Sequence, residues 1–223
     1  MFNNVKKLNS LMSKQQVDVT LSRVGVARWV LAVFFLSGFA AFLYQVVWQR
    51  ALFIIFGINI ESVTVVVTAF MLGLGIGSLV GGRVSRNPRC PFLLAFGFIE
   101  LGIGIYGFFS LFLFKWVGTF TLGMSSISTK LITFLLVLIP TLLMGSTLPL
   151  LVAHAVHISG NVGRSIGILY FVNTLGSAIA AIITVFVLMR NLGQQGSVIF
   201  AAVFNLIIGF FVIFQHTRLG AGQ

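Results

Sequence analysis

The chain has 223 residues, 58% of them hydrophobic and 8% charged, with 14 Lys and Arg against three acids, Asp18, Glu61 and Glu100. A soluble domain carries roughly 25% charged residues and cannot hide this much apolar surface, so the sequence is read as an all-α integral membrane protein. Three acids exclude paired-carboxylate hydrolysis, carboxylate metal cages and Walker-type ATP hydrolysis, and a lone Cys90 excludes an intrachain disulfide framework.

Residues 1–28 mix apolar and polar positions without a period and carry Lys6, Lys7, Lys14, Arg23 and Arg28. Two readings fit this cytoplasmic segment: a solvated tail that sets topology, or a helix lying on anionic lipid. The basic start, followed by Trp29–Ser37 and Gly38-Phe39-Ala40, mimics a signal peptide. Its apolar run continues through Val47, which is too long for an h-region, so it is read as an uncleaved first span. Crossing hydrocarbon takes about 20 apolar residues. Six such runs occur, at 29–56, 60–82, 92–114, 131–156, 165–189 and 196–215. They make 29–215 a six-helix transmembrane domain and 216–223 a cytoplasmic tail. The first run reads as one long tilted helix rather than a helix with a re-entrant turn at Ala51–Gly57.

With the N-terminus inside, ten basic residues fall on the cytoplasmic side: Lys6, Lys7, Lys14, Arg23, Arg28, Arg83, Arg86, Arg89, Arg164 and Arg218. Four fall outside: Arg50, Lys115, Lys130 and Arg190. This asymmetry places both termini in the cytoplasm. The basic excess is thereby accounted for by topology and lipid headgroups, and no nucleic-acid partner is expected.

Within the first span, Gln45 and Gln49 lie four apart and share a face. With Tyr44, Trp48 and Arg50 they form an outer polar patch, read as an aromatic belt or as a ligand pocket. Arg50 lies ~31 Å along the span, on the side where Glu61 opens the second, so an Arg50–Glu61 ion pair is expected at the outer interface. The second span holds Gly73, Gly77 and Gly81 at every fourth residue, a face that admits a neighbouring helix closely. Gly75 and Gly82 complete a glycine-rich stretch whose spacing does not fit a dinucleotide fingerprint.

The third span repeats the device with Gly97, Gly102, Gly104 and Gly107, and adds Glu100. A carboxylate in hydrocarbon costs on the order of 3 kcal/mol or more, so it should face the bundle interior with a partner or be protonated. Glu100 lies ~12 Å from Phe92, and Asn173 the same ~12 Å from Ser165 on the fifth span. A Glu100–Asn173 polar centre is therefore expected, either as a clasp between helices or as a proton or solute site. Pro140, Gly145 and Pro149 should bend the fourth span near mid-membrane. Such breaks line transporter sites, but they also shape inert bundles. A metal site can be drawn from Cys90, His154, His157 and His216, yet the spacings match no zinc pattern. No metal, cofactor or catalytic nucleophile–base pair is recognised.

Five segments together resemble a known family: Leu43-Tyr-Gln-Val-Val-Trp-Gln-Arg50, Phe70-Met-Leu-Gly-Leu-Gly-Ile-Gly-Ser-Leu-Val-Gly-Gly-Arg83, Ile99-Glu-Leu-Gly-Ile-Gly-Ile-Tyr106, Pro140-Thr-Leu-Leu-Met-Gly-Ser-Thr-Leu-Pro149 and Leu169-Tyr-Phe-Val-Asn-Thr-Leu-Gly-Ser177. They are similar to the membrane part of bacterial spermidine-synthase-like membrane proteins, described as fused major-facilitator/spermidine synthases. The resemblance covers about residues 29–215 and implies a six-helix bundle like half of a major-facilitator transporter, in a bacterial inner membrane. Gly77–Arg86 also resembles the short basic loop of such transporters. Relatives carry a Rossmann-like aminopropyltransferase domain, whereas the sequence reaches Gln223 with neither its glycine-rich nucleotide loop nor acids to hold a polyamine.

The functional expectation is thus a non-catalytic membrane module of that family. It would anchor, or supply a small solute to, a separately encoded synthase-like partner. A stand-alone dimeric major-facilitator-like carrier of a small solute, a polyamine by the family's suggestion, is the first alternative. A scaffold subunit of a membrane complex is the second.

Overall fold

The structure, a computed structural model, describes residues 28–56, 60–87 and 89–220. Six long helices fill it: α1 (Arg28–Phe56), α2 (Ile60–Val84), α3 (Phe92–Phe120), α4 (Ser126–Ser159), α5 (Val162–Ile183) and α6 (Gly193–Gly220). A π turn, Thr184–Leu188, and a final helical turn, Met189–Asn191, extend α5. No strand occurs among the described residues. All six helices are apolar enough to cross a membrane, over 22 to 33 residues each. The protein is an all-α, multi-pass membrane protein. At ~1.5 Å per residue the longer helices exceed the ~30 Å hydrocarbon layer, so they tilt or project from it.

The first span is a continuous helix through Phe56, with no turn inside residues 51–56. The last runs to Gly220, so the tail expected from residue 216 is helical up to that point. The expectations for residues 1–27 and 221–223 lie outside the described residues.

Local chemistry sets the helix ends. Ser125 caps α4 by accepting from the Ser128 amide at 3.2 Å, and Asn161 caps α5 by accepting from the Arg164 amide at 3.0 Å. Between them Gly160, at φ 67°, closes α4 in the left-handed region that suits glycine. These two residues, Gly160 and Asn161, suffice to turn the chain from α4 into α5.

The most extensive helix pairs are α2 with α4, α3 with α6, and α1 with α5. On α2, Gly73 meets Thr141, Gly77 meets Leu142 and Gly145, and Gly81 meets Ser146. Residue numbers rise together, so these helices run parallel, with the glycine stripe as their seam. Gly145 returns the contact against the Leu74 backbone. On α3, Gly97 meets Gly209 and Gly104 meets Ala202, so α3 and α6 run antiparallel. Exchanging α1–α3 for α4–α6 maps the pair α2–α4 onto α5–α1 and leaves α3–α6 in place. That is the pattern of two inverted three-helix repeats.

Pro140 and Pro149 both lie inside α4, which continues through them without a break. Proline at position 140 leaves the Leu136 carbonyl without its helical donor, and the Tyr106 hydroxyl donates to it at 2.6 Å. The Thr141 hydroxyl sits 2.9 Å from the Val137 and Leu138 carbonyls. The helical run therefore continues past Pro140 with the freed carbonyl supplied by a side-chain donor.

Candidate functional site

The buried apolar side chains form two clusters. One gathers Val30, Phe34, Leu93, Phe96, Leu151, Leu169 and Ile208; the other gathers Leu43, Tyr44, Trp48, Phe70, Ile103, Phe114, Val137 and Ala201. Between them lies a polar layer. Ser37 stands between Phe34 and Phe39, Glu100 between Phe96 and Ile103, Thr147 between Met144 and Leu151, and Asn205 between Ala201 and Ile208.

Glu100 is 0% exposed. The Ser37 hydroxyl donates to its Oε1 at 2.5 Å, and Asn205 Nδ2 donates to its Oε2 at 2.5 Å. A carboxylate only accepts, which dictates that the amide turns its Nδ2 toward it. Asn205 Oδ1 is left buried with no hydrogen-bond partner. Beside this trio is a cavity of about 130 Å³, lined by Ser37, Gln45, Thr147, Asn173, Ser177 and Asn205 among apolar neighbours. A void near 150 Å³ holds a benzene-sized guest, so this one suits a solute of about six heavy atoms or a few waters. Its wall includes amide and hydroxyl residues, and the carboxylate held by two of them lies immediately behind it.

Asn173 shares this cavity but does not hold Glu100. It sits on α5 against Gly38 of α1, where the Ser177 hydroxyl bridges the Gly38 and Asn173 carbonyls at 3.0 and 3.1 Å. Equal depth along the two spans is what predicts a Glu100–Asn173 pair. Depth selects a plane, whereas the neighbours within it follow from helix order. Here α5 packs on α1 and α4, while α3 packs on α6. The antiparallel register of Gly97 with Gly209 and Gly104 with Ala202 brings position 100 beside Asn205. Asn205 is detectable as a lone amide in a strongly apolar stretch of α6; Ser37 carries no such signal.

The expected outer polar patch divides. Tyr44 and Trp48 are 0% exposed and stack with ring centroids 4.7 Å apart, so they are core residues rather than an interfacial belt. Trp48 Nε1 donates to the Ser110 hydroxyl at 2.9 Å, which in turn donates to the Gly107 carbonyl at 2.7 Å. A local acceptor thus lets the indole sit inside. Its ring also meets Phe70, Tyr106 and Phe114. Gln45 lines the cavity, Gln49 is half-buried and Arg50 is exposed. The Glu61 side chain, and with it the expected ion pair to Arg50, lies outside the described side chains.

His154 and His157 end α4 within reach of His216 on α6, and Cys90 is partly buried in the loop before α3. No group of three His, Cys, Asp or Glu side chains able to hold a metal occurs among the described residues. No protein-family model, curated protein or solved structure matches the chain.

Proposed function

We propose that this protein is a non-catalytic membrane module that holds a small polar or cationic solute in the layer around Glu100 and supplies it to a separate synthase-like partner. The observation that carries the reading is the fully buried Glu100, engaged by Ser37 and Asn205, beside a polar cavity in an otherwise apolar bundle. A clasp alone needs the hydrogen bonds; it does not need a space next to them. Ionisable groups inside membranes are costly and commonly line solute and ion paths. The cavity's size admits one short amine or a single amine head, not a whole extended polyamine. The family resemblance, rather than the geometry, supplies the partner and the bacterial inner membrane. The Lys and Arg distribution favours cytoplasmic termini.

A second reading, a carrier completed by two copies, draws on the exposure of α2 and α5, whose apolar windows are only 28% and 22% buried. Uptake of radiolabelled ethylammonium by reconstituted vesicles tests both readings. Uptake by the wild type that Glu100→Gln abolishes supports a solute path through the layer. Equal uptake by both proteins removes Glu100 from it. Purification from native membranes, with identification of what accompanies the protein, separates the module from the two-copy carrier.

A further inference from the structure

We infer that the groove between the ends of α2, α4 and α5 is a binding site for one anionic membrane phospholipid. Its phosphate would lie at Arg86 and His157, and an acyl chain along α4. The groove has a volume of about 600 Å³ and lies apart from the Glu100 layer. Its polarity changes along its length. At the mouth stand Arg86, just past α2, and His157, near the end of α4, both exposed. Deeper, the wall is Leu148, Val152 and Val156 of α4, faced by Ile166 of α5. From Leu148 to His157 the helix rises ~13 Å, close to one leaflet of a ~30 Å hydrocarbon layer. An amphiphile with a charged head and an apolar tail matches this gradient; a uniformly apolar helix does not.

Charge fixes the sign of the head. Arg83, in the last turn of α2, and Arg89, on the loop, flank Arg86. The chain's acids are Asp18, Glu61 and Glu100. Glu61 opens α2 at the opposite end and Glu100 is enclosed, so no carboxylate stands at this end among the described residues. Arginine and a protonated or neutral imidazole both donate to phosphate oxygens, and basic pockets between transmembrane helices hold anionic headgroups in this way.

Native mass spectrometry of the purified protein, titrated with phosphatidylglycerol or phosphatidylcholine, tests the site. One phosphatidylglycerol per chain should be retained in preference to phosphatidylcholine. Arg86→Gln with His157→Gln should weaken that retention by about tenfold, the value of a charge-assisted contact. Ala153→Phe, which obstructs the tail path and leaves both head residues, should weaken it as well. Soluble glycerol phosphate should fail to compete. A photocrosslinker at position 153 in native membranes gives a readout that does not depend on the folding of the charge variants, and it should label lipid. Equal retention of the two lipids, unchanged retention in the double variant, competition by glycerol phosphate, or labelling of a second copy or another protein would each overturn the assignment.

Discussion

The aromatic cluster around Trp48 and the polar layer around Glu100 are equally buried, yet they differ in what they bury. In the first, a short chain from Trp48 to Ser110 to the Gly107 carbonyl satisfies the indole inside a ring of aromatics, while the hydroxyl of Tyr44, stacked beside it, has no hydrogen-bond partner. In the second, two polar groups, Ser37 and Asn205, hold a carboxylate, one acceptor on Asn205 is left unmatched, and a cavity lies beside them. An unmatched buried polar atom occurs in both regions; what distinguishes the second is an ionisable group beside a cavity. The contrast separates the part of the bundle that fixes its shape from the part with room for a solute.

Trp48→Ala should have the largest effect on that contrast. Removing a buried aromatic costs about 3–5 kcal/mol, so the thermal midpoint should collapse and the purified protein should aggregate on gel filtration. Gly77→Ala comes next. Its Cβ would run into the Leu142 carbonyl on α4, and overpacking of a backbone seam costs about 1–3 kcal/mol. Gly75→Ala has open space around it and should leave the midpoint unchanged; equal loss in the two variants would contradict the assignment of Gly73, Gly77 and Gly81 as the seam. Ser110→Ala should cost about 1–2 kcal/mol by orphaning the indole N–H, read as a modest fall in midpoint with unaltered solute uptake. Glu100→Gln should have the smallest effect on stability. It keeps the shape, loses the charge, and moves function rather than the midpoint.

Much of the fold was legible in the sequence because its signals are local. Span number and position follow from run length alone, and Gly73, Gly77 and Gly81 announce a seam because the four-residue period is written within one helix. The partner of the carbonyl that Pro140 frees was not legible. The hydroxyl that rescues the Leu136 carbonyl comes from Tyr106, 30 residues away. The polar layer was half legible: Glu100 is conspicuous as a charge in hydrocarbon, and Asn173 does line the same cavity. Which groups donate to Glu100 was not, since that depends on α3 packing against α6 rather than α5. Tyr44 and Trp48 were misplaced for a related reason. Amphipathic rings favour interfaces in general, but an acceptor contributed by Ser110 of another helix makes the interior equally acceptable. The π turn at Thr184–Leu188 has no signature in composition at all.

The central claim is that the layer around Glu100 takes a small cationic solute, and isothermal titration of the purified protein with ethylammonium tests it most directly. The account predicts saturable binding of one ammonium per chain that is lost in Glu100→Gln and preserved in Ser110→Ala. Absence of binding to the wild type, or equal binding to the wild type and Glu100→Gln, would contradict it.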